Sequence, residues 1–128
     1  MIKAYLAAIG APYEGEDIEV RYRIYEEQEL LCKESVFLGY QKPAVVGHAA
    51  LVTLLRELEK YKDKEILIFM NDPAVHEFIN GTLTTKNRDI MRVGRETKKE
   101  WNRFHDIMIE DVHKDRKELL RWNEILQS

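Results

Sequence analysis

The chain has 128 residues, a formal net charge of −3 at pH 7, 45% hydrophobic residues and 34% charged residues. This size predicts one domain over residues 1–128, and the hydrophobic content excludes a disordered or low-complexity chain. A single cysteine excludes an internal disulfide, and no apolar run approaches the roughly 20 residues needed to cross a bilayer.

The N-terminal part of the chain predicts three strands. Residues 2–9 are apolar and end before Gly10, which indicates a buried strand. Residues 17–25 alternate between apolar and polar side chains, which is typical of a strand with one buried face. Residues 30–38 follow a polar turn and complete a predicted antiparallel meander. Because residues 1–10 lead into acidic residues rather than a cleavage site, we expect no secretion signal and a soluble, cytoplasmic protein.

Helical and strand patterns alternate in the remainder of the chain. Apolar residues recur every three or four positions over 44–61, which predicts an amphipathic helix. Residues 66–70 are apolar throughout, as expected of a central strand covered on both faces. Asp72 and Pro73 predict the start of a helix that ends near Asn80. The patterns then predict a helix over 86–101, a strand over 106–109 and a helix over 115–126.

This order of elements, β-β-β-α-β-α-α-β-α, predicts an α/β fold with a mixed five-stranded sheet and helices on both faces. The order and several segments resemble type 1 ribonuclease H, a member of the ribonuclease H-like superfamily. The segments that carry the resemblance are Arg21-Tyr22-Arg23, residues 44–58, residues 66–75 with Asn71-Asp72-Pro73, residues 86–90 and residues 107–113.

The resemblance implies a site at which four carboxylates hold two Mg²⁺ ions for phosphodiester cleavage. The matching positions in this chain are, in order, Ala7 or Ala8, Gly47 or His48, Asp72, and Asp115 or Asp111. Two of the four carboxylates are therefore missing, and alanine supplies no ligand oxygen. We expect the ordinary nuclease mechanism to be absent, with no metal cofactor.

An active nuclease remains the alternative. It would use Asp72 and Asp115 as catalytic residues, together with Asp111 and one of His48 or His113, and Mg²⁺ or Mn²⁺ as cofactor. The sequence leaves open whether a residue from elsewhere, such as Glu14 or Glu16, replaces a lost carboxylate. The predicted metal ligands in that case are Asp72, Asp111, Asp115 and His48. The sequence favours a structural role for the aspartates, because Asp72 precedes a proline at a helix start and Asp115 precedes the last helix.

Charge is segregated along the chain. Residues 1–37 carry four basic and eight acidic side chains, whereas residues 84–103 carry seven basic and three acidic ones. Such a basic segment can neutralise the phosphates of a nucleic acid, and it can equally be a solvated helix face with internal ion pairs. The predicted phosphate contacts are Lys86, Arg88, Arg92, Arg95, Lys98 and Lys99, with Arg21 and Arg23 as helpers.

Three hypotheses for function follow. The leading one is a ribonuclease H-like domain without the usual two-metal activity that binds an RNA–DNA hybrid or RNA, or acts in regulation. The second is a divergent metal-dependent nuclease. The third is a protein-interaction module that uses a sheet edge or the terminal helix.

Overall fold

The fold follows the predicted order of elements. The computed structural model describes residues 1–81 and 84–127. Short 3-10 turns precede α1, follow α1 and precede α4, at Pro43–Val45, Glu59–Tyr61 and Val112–Lys114. The main elements are β1 (Ile2–Ile9), β2 (Ile18–Glu26), β3 (Glu29–Leu38), α1 (Val46–Leu58), β4 (Glu65–Met70), α2 (Pro73–Ile79), α3 (Arg88–Trp101), β5 (Asp106–Asp111) and α4 (Arg116–Gln127).

The strands form one mixed sheet in the order β3-β2-β1-β4-β5. β1 pairs antiparallel with β2 and β2 with β3, whereas β1 and β4, and β4 and β5, are parallel. The parallel register pairs Leu6 with Met70, so β1 and β4 end at the same edge of the sheet. Because α1 and α2 begin beside this edge, the chain segments that leave the two strands meet there. The predicted five-stranded mixed sheet is confirmed.

Helices cover both faces of this sheet, as predicted. Alternate residues of β1 point to opposite faces, so Ala4 and Leu6 join the core beneath α1, whereas Tyr5 and Ala7 join a second core beneath α4. Each fully buried aliphatic side chain contributes about 1.5–3 kcal/mol to folding through the hydrophobic effect. The two cores therefore fix β1 between α1 and α4. In the described part of the chain, no helix is long and apolar enough to cross a membrane.

The helix predicted over 44–61 is divided into a 3-10 turn, α1 and a second 3-10 turn. A single stripe at three-residue spacing joins Leu55 to Leu58, both of which are buried. Leu51 and Leu54 are completely buried as well. The buried surface of α1 is wider than a single stripe because the helix contacts both the sheet and α3.

Phe78, in α2, contacts residues of both α1 and α3. Its ring lies edge-to-face against His48 of α1, with ring centroids 4.9 Å apart. Lys98 of α3 places its Nζ atom 4.7 Å from the centroid of the same ring. A Cβ atom on Gly94 would overlap the ring. Gly94, which the sequence suggests is a weak point of its helix, therefore allows α2 and α3 to approach closely.

Candidate nucleic-acid interface

A cleft of about 510 Å³ lies where β1 and β4 end. Ala8 lines it from β1, and Glu14 and Tyr40 line it from the loops that follow β1 and β3. Gly47, in the first turn of α1, and Asp72, just before α2, also line the cleft. The residues that match the first three carboxylate positions of ribonuclease H thus lie around one cavity.

Asp72 is held against the backbone of α1. Its Oδ1 atom accepts a hydrogen bond of 3.1 Å from the backbone N–H of Val75 and so caps α2, as predicted. A Cβ atom on Gly47 would overlap the other oxygen of this carboxylate and would come within 2.9 Å of Val75 Cγ2. The Asp72 carboxylate therefore occupies the space that a side chain at position 47 would need.

The other two predicted aspartates lie elsewhere. Asp111 and Asp115 line a separate cavity of about 390 Å³ between the start of α2 and the start of α4. Asp111 accepts a hydrogen bond of 3.0 Å from the His113 N–H. Asp115 accepts bonds of 3.1 and 3.2 Å from the N–H groups of Lys117 and Glu118 and so caps α4. The structure thus gives both aspartates capping hydrogen bonds and does not place them in the cleft with Asp72.

His48 is buried beside the cleft. Its side chain is 2% exposed, and within residues 1–81 and 84–127 its Nδ1 atom has no hydrogen-bond partner. Burial lowers the pKa of His48 below its usual value, and the nearby Asp72 carboxylate opposes this effect. His48 is therefore expected to be neutral at pH 7 in the folded protein.

Acidification should destabilise the protein through His48. Below about pH 6.5 the unfolded chain binds a proton at this histidine while the folded chain resists it, so stability is lost as the pH falls, by at most about 1.4 kcal/mol per pH unit. Urea unfolding between about pH 7.5 and 5.5 should show a shallower decline for His48→Leu than for the native chain. His113→Gln, which replaces an exposed histidine, is the control, and equal slopes for native chain and His48→Leu would contradict this role.

The basic residues of the segment around α3 are all exposed. Asn87 begins the helix by accepting hydrogen bonds from the N–H groups of Asp89 and Ile90. Arg92 pairs with Asp89 at 3.5 Å, and Lys98 lies over Phe78. No acidic residue in the described ranges pairs with the other four predicted phosphate contacts, namely Lys86, Arg88, Arg95 and Lys99.

A groove links α3 to the cleft. A cavity of about 420 Å³ lies between Lys42 and Arg92 of α3, and Tyr40 and Gln41 also line it. Its lining includes two carboxylates of α3, Asp89 and Glu96, and Asp89 pairs with both cations. Tyr40 and Gln41 also line the cleft that contains Asp72. The cleft and the basic helix are therefore parts of one continuous surface.

The expectation that Arg23 helps to contact phosphates is wrong. Its side chain is buried, and its guanidinium donates hydrogen bonds to the backbone carbonyls of Tyr22, Glu34 and Leu126 at 3.0–3.3 Å. The C-terminal end of α4 lies over β2 at this point, and its carbonyls carry the negative end of the helix dipole. Arg21 pairs with Glu19 at 2.8 Å and also donates to the Leu126 carbonyl.

No protein-family profile and no curated protein sequence matches the chain. Solved structures of ribonucleases H match it closely in shape. The ribonuclease H1 of the halophilic archaeon Halobacterium salinarum has a TM-score of 0.78 at 15% identity, covering 91% of this chain and 89% of that one. LC11 ribonuclease H1, from compost and solved in complex with an RNA/DNA hybrid, has a TM-score of 0.79 at 18% identity, covering 99% and 94%. The N-terminal ribonuclease H domain of a Mycobacterium tuberculosis protein has a TM-score of 0.75 at 15% identity, covering 91% and 90%.

This chain has the ribonuclease H-like fold. The resemblance inferred from the sequence is thereby confirmed for the architecture. The identities are low, so the residues of the cleft have to be assessed one by one.

The residues of this ribonuclease H-like cleft do not fit a pair of Mg²⁺ ions. Ala7 and Ala8 offer no carboxylate oxygen at the first position, and Gly47 offers none at the second, where a Cβ atom would have to displace the Asp72 carboxylate. His48 is buried against Phe78. Within the described ranges, no three His, Cys, Asp or Glu side chains form a group that could hold a metal ion.

Of Glu14 and Glu16, the two residues considered as replacements for a lost carboxylate, Glu14 lines the cleft. It shares the lining with Asp72, whereas Glu16 is exposed and lies outside the lining. Sequence reasoning missed how Gly47 excludes a side chain, and the only signal available was a small residue in the first turn of the helix, next to the predicted position of Asp72.

Proposed function

We propose that this protein binds nucleic acid, an RNA–DNA hybrid or RNA, in a binding or regulatory role that does not use two-metal cleavage. The observation that carries the proposal is the continuous surface formed by the cleft and the exposed basic side of α3. The fold is compatible with such a ligand, since LC11 ribonuclease H1, which is similar in structure, was solved with an RNA/DNA hybrid.

The electrostatics of α3 support phosphate binding. Five of the six predicted contacts in the segment around α3 have no acidic partner within residues 1–81 and 84–127, so their charges are available to a ligand. One of the five, Lys98, lies over the ring of Phe78. Lysine and arginine that neutralise phosphates release condensed counterions, which gives affinity that depends on salt and little on sequence. The overall charge of −3 does not oppose this local binding strongly, because exposed charges more than about 10 Å away are screened at 0.1 M salt.

The second candidate function is a divergent metal-dependent nuclease. The observation in its favour is that Glu14 and Asp72 line the same cleft. Two carboxylates are a small set for Mg²⁺, which requires near-octahedral oxygen coordination. Asp72 is also engaged in capping α2. Both facts favour binding without cleavage.

Fluorescence anisotropy with a labelled RNA–DNA hybrid tests the proposal. We expect saturable binding by the full chain at about 50 mM KCl that weakens by at least about tenfold at 200 mM KCl. Single-stranded RNA and duplex DNA of the same length show which nucleic acid is preferred. Undetectable binding at low salt would refute the proposal.

The same hybrid should remain intact after incubation with Mg²⁺ or Mn²⁺. If the hybrid is instead cleaved, and cleavage is lost in Asp72→Asn, the nuclease replaces the binding protein as the function. Glu14→Gln is the matched variant, because it removes the other carboxylate of the cleft without touching the cap of α2.

A further inference from the structure

A fourth cavity, of about 700 Å³, lies at the end of β1 opposite the cleft. Its lining includes Lys3 and Tyr5 of β1, Tyr25 of β2, and Arg121 and Glu124 of α4. Lys3 and Tyr25 are direct partners in the β1–β2 register and therefore share one face of the sheet. On β1 the lining of this cavity ends at Tyr5 and that of the cleft begins at Ala8, so about 10 Å of strand separates the two.

An aromatic group forms one wall of this cavity. Tyr5 is buried and stacks on Phe69, with ring centroids 4.9 Å apart and an interplanar angle of 12°. Tyr25 meets Tyr5 edge-to-face at 5.9 Å. Tyr5 is thus fixed by packing, whereas Tyr25 is partly exposed and is the ring that a ligand can reach.

Two cationic side chains lie next to the aromatic rings of this cavity. Lys3 of β1 and Arg121 of α4 line the cavity together with Tyr5. In the part of the chain that the structure describes, no carboxylate forms an ion pair with Lys3 or Arg121. Of the two carboxylates in the lining, Glu27 pairs with the N-terminal ammonium at 3.1 Å, and Glu124 forms no ion pair with any residue of 1–81 and 84–127.

We propose that this cavity binds a nucleoside monophosphate. The base would lie against Tyr25, Lys3 and Arg121 would bind the phosphate, and Glu124 would accept hydrogen bonds from a sugar hydroxyl or a base amine. The volume is within the range of small-molecule sites, and aromatic rings beside arginine and lysine are the groups that recognise a base with a phosphate. A free mononucleotide and the 5′-phosphorylated end of a strand offer the same chemistry.

Titration of the full chain with AMP, followed by amide NMR shifts, tests the proposal. We expect saturable shifts at Lys3, Tyr25 and Arg121 with a dissociation constant below about 1 mM. Adenosine and inorganic phosphate should each bind at least about tenfold more weakly, because each offers only part of the contact set. The absence of saturable shifts up to about 5 mM AMP, a generous limit for a ligand of this size, would overturn the proposal.

Variants locate the site. Lys3→Gln and Arg121→Gln should each weaken AMP binding about tenfold or more, because each removes a charged contact to the phosphate. Arg116→Gln, on the same helix but outside the cavity lining, should leave it unchanged. Lys3→Gln is the decisive variant, since Arg121 also lines the cavity beside the buried Tyr5. Equal weakening by Lys3→Gln and Arg116→Gln would overturn the proposal.

The two sources of the ligand are distinguished by competition. A trinucleotide with a 5′-phosphate that displaces AMP, when its 5′-hydroxyl counterpart does not, assigns the site to a strand end. AMP binding without such displacement assigns it to a free nucleotide. None of these results depends on the hybrid-binding surface, so a failure of either proposal leaves the other standing.

Discussion

Replacing four basic residues of the segment around α3 by glutamine should abolish most hybrid binding. These four contact neither an acidic side chain nor an aromatic ring in the described part of the chain. The variant Lys86→Gln, Arg88→Gln, Arg95→Gln and Lys99→Gln should lower affinity at least about 100-fold at 50 mM KCl. The slope of log affinity against log salt should become shallower by up to about 3.6, since each lost phosphate contact removes about 0.9. Glutamine has nearly the helix propensity of lysine and arginine, so α3 should persist. Anisotropy titrations at several salt concentrations measure both quantities.

A variant with the same change in net charge is the control for this experiment. It replaces four exposed lysines on β3 and after α1, namely Lys33, Lys60, Lys62 and Lys64. Two of these form surface ion pairs, whose loss costs no more than about 1 kcal/mol each. Affinity in the control should fall only slightly. Equal losses in the two variants would show that net charge, rather than the surface of α3, governs binding.

The architecture was predictable because the spacing of apolar residues along the sequence differs between strands and helices. Alternation over β2, the apolar run of β4 and the cap at Asp72 are local patterns. The structure reproduces the cap, the alternation in β2 as far as Tyr22, and the burial of β4 after Glu65, where only Leu67 is half-buried. The extent of the last strand was less predictable. β5 continues past Ile109 to Asp111, because main-chain pairing with Met70 extends it into polar residues. Hydrophobic pattern alone cannot reveal such an extension.

Contacts between distant elements were not predictable from local pattern. Gly94 interrupts the helical propensity of α3, and only the approach of Phe78 from α2 explains its place. Arg23 alternates with Tyr22 as a polar strand residue should, yet the end of α4 covers it. In both cases the deciding partner is more than ten residues away in sequence.

The candidate site, too, was predictable from the sequence only in part. The resemblance to ribonuclease H placed Ala8, Gly47 and Asp72 near one another, and the structure brings all three to one cleft. It also matched Asp115 or Asp111 to the same site, whereas the structure places both in a neighbouring cavity. Their hydrogen bonds to the start of α4 and to the turn before it explain their orientation. Whether an aspartate caps a helix or faces a cleft depends on where one or two backbone N–H groups point, and this cannot be read from the sequence.

Truncating Trp122 should have the largest effect on stability among single substitutions in α4. Its indole N–H donates to the backbone carbonyls of Leu6 and Phe69, at 3.0 and 3.2 Å, and so joins α4 to both β1 and β4. Its ring also packs on the core beneath α4. We expect Trp122→Ala to lower the free energy of unfolding by about 3–5 kcal/mol. Urea denaturation followed by circular dichroism measures this loss.

Two further variants separate packing from hydrogen bonding. Trp122→Phe keeps an aromatic ring and should lower the free energy of unfolding by only about 1–3 kcal/mol. Its main defect is that the Leu6 and Phe69 carbonyls lose the indole N–H that donates to both. Leu120→Ala, at a position on the same helix that is 57% exposed, should cost less than about 0.5 kcal/mol. If Leu120→Ala were as destabilising as Trp122→Ala, α4 would not be anchored through the indole. Because Leu6 and Phe69 lie just before the cleft on β1 and β4, Trp122 holds together the two strands whose ends form the proposed binding surface.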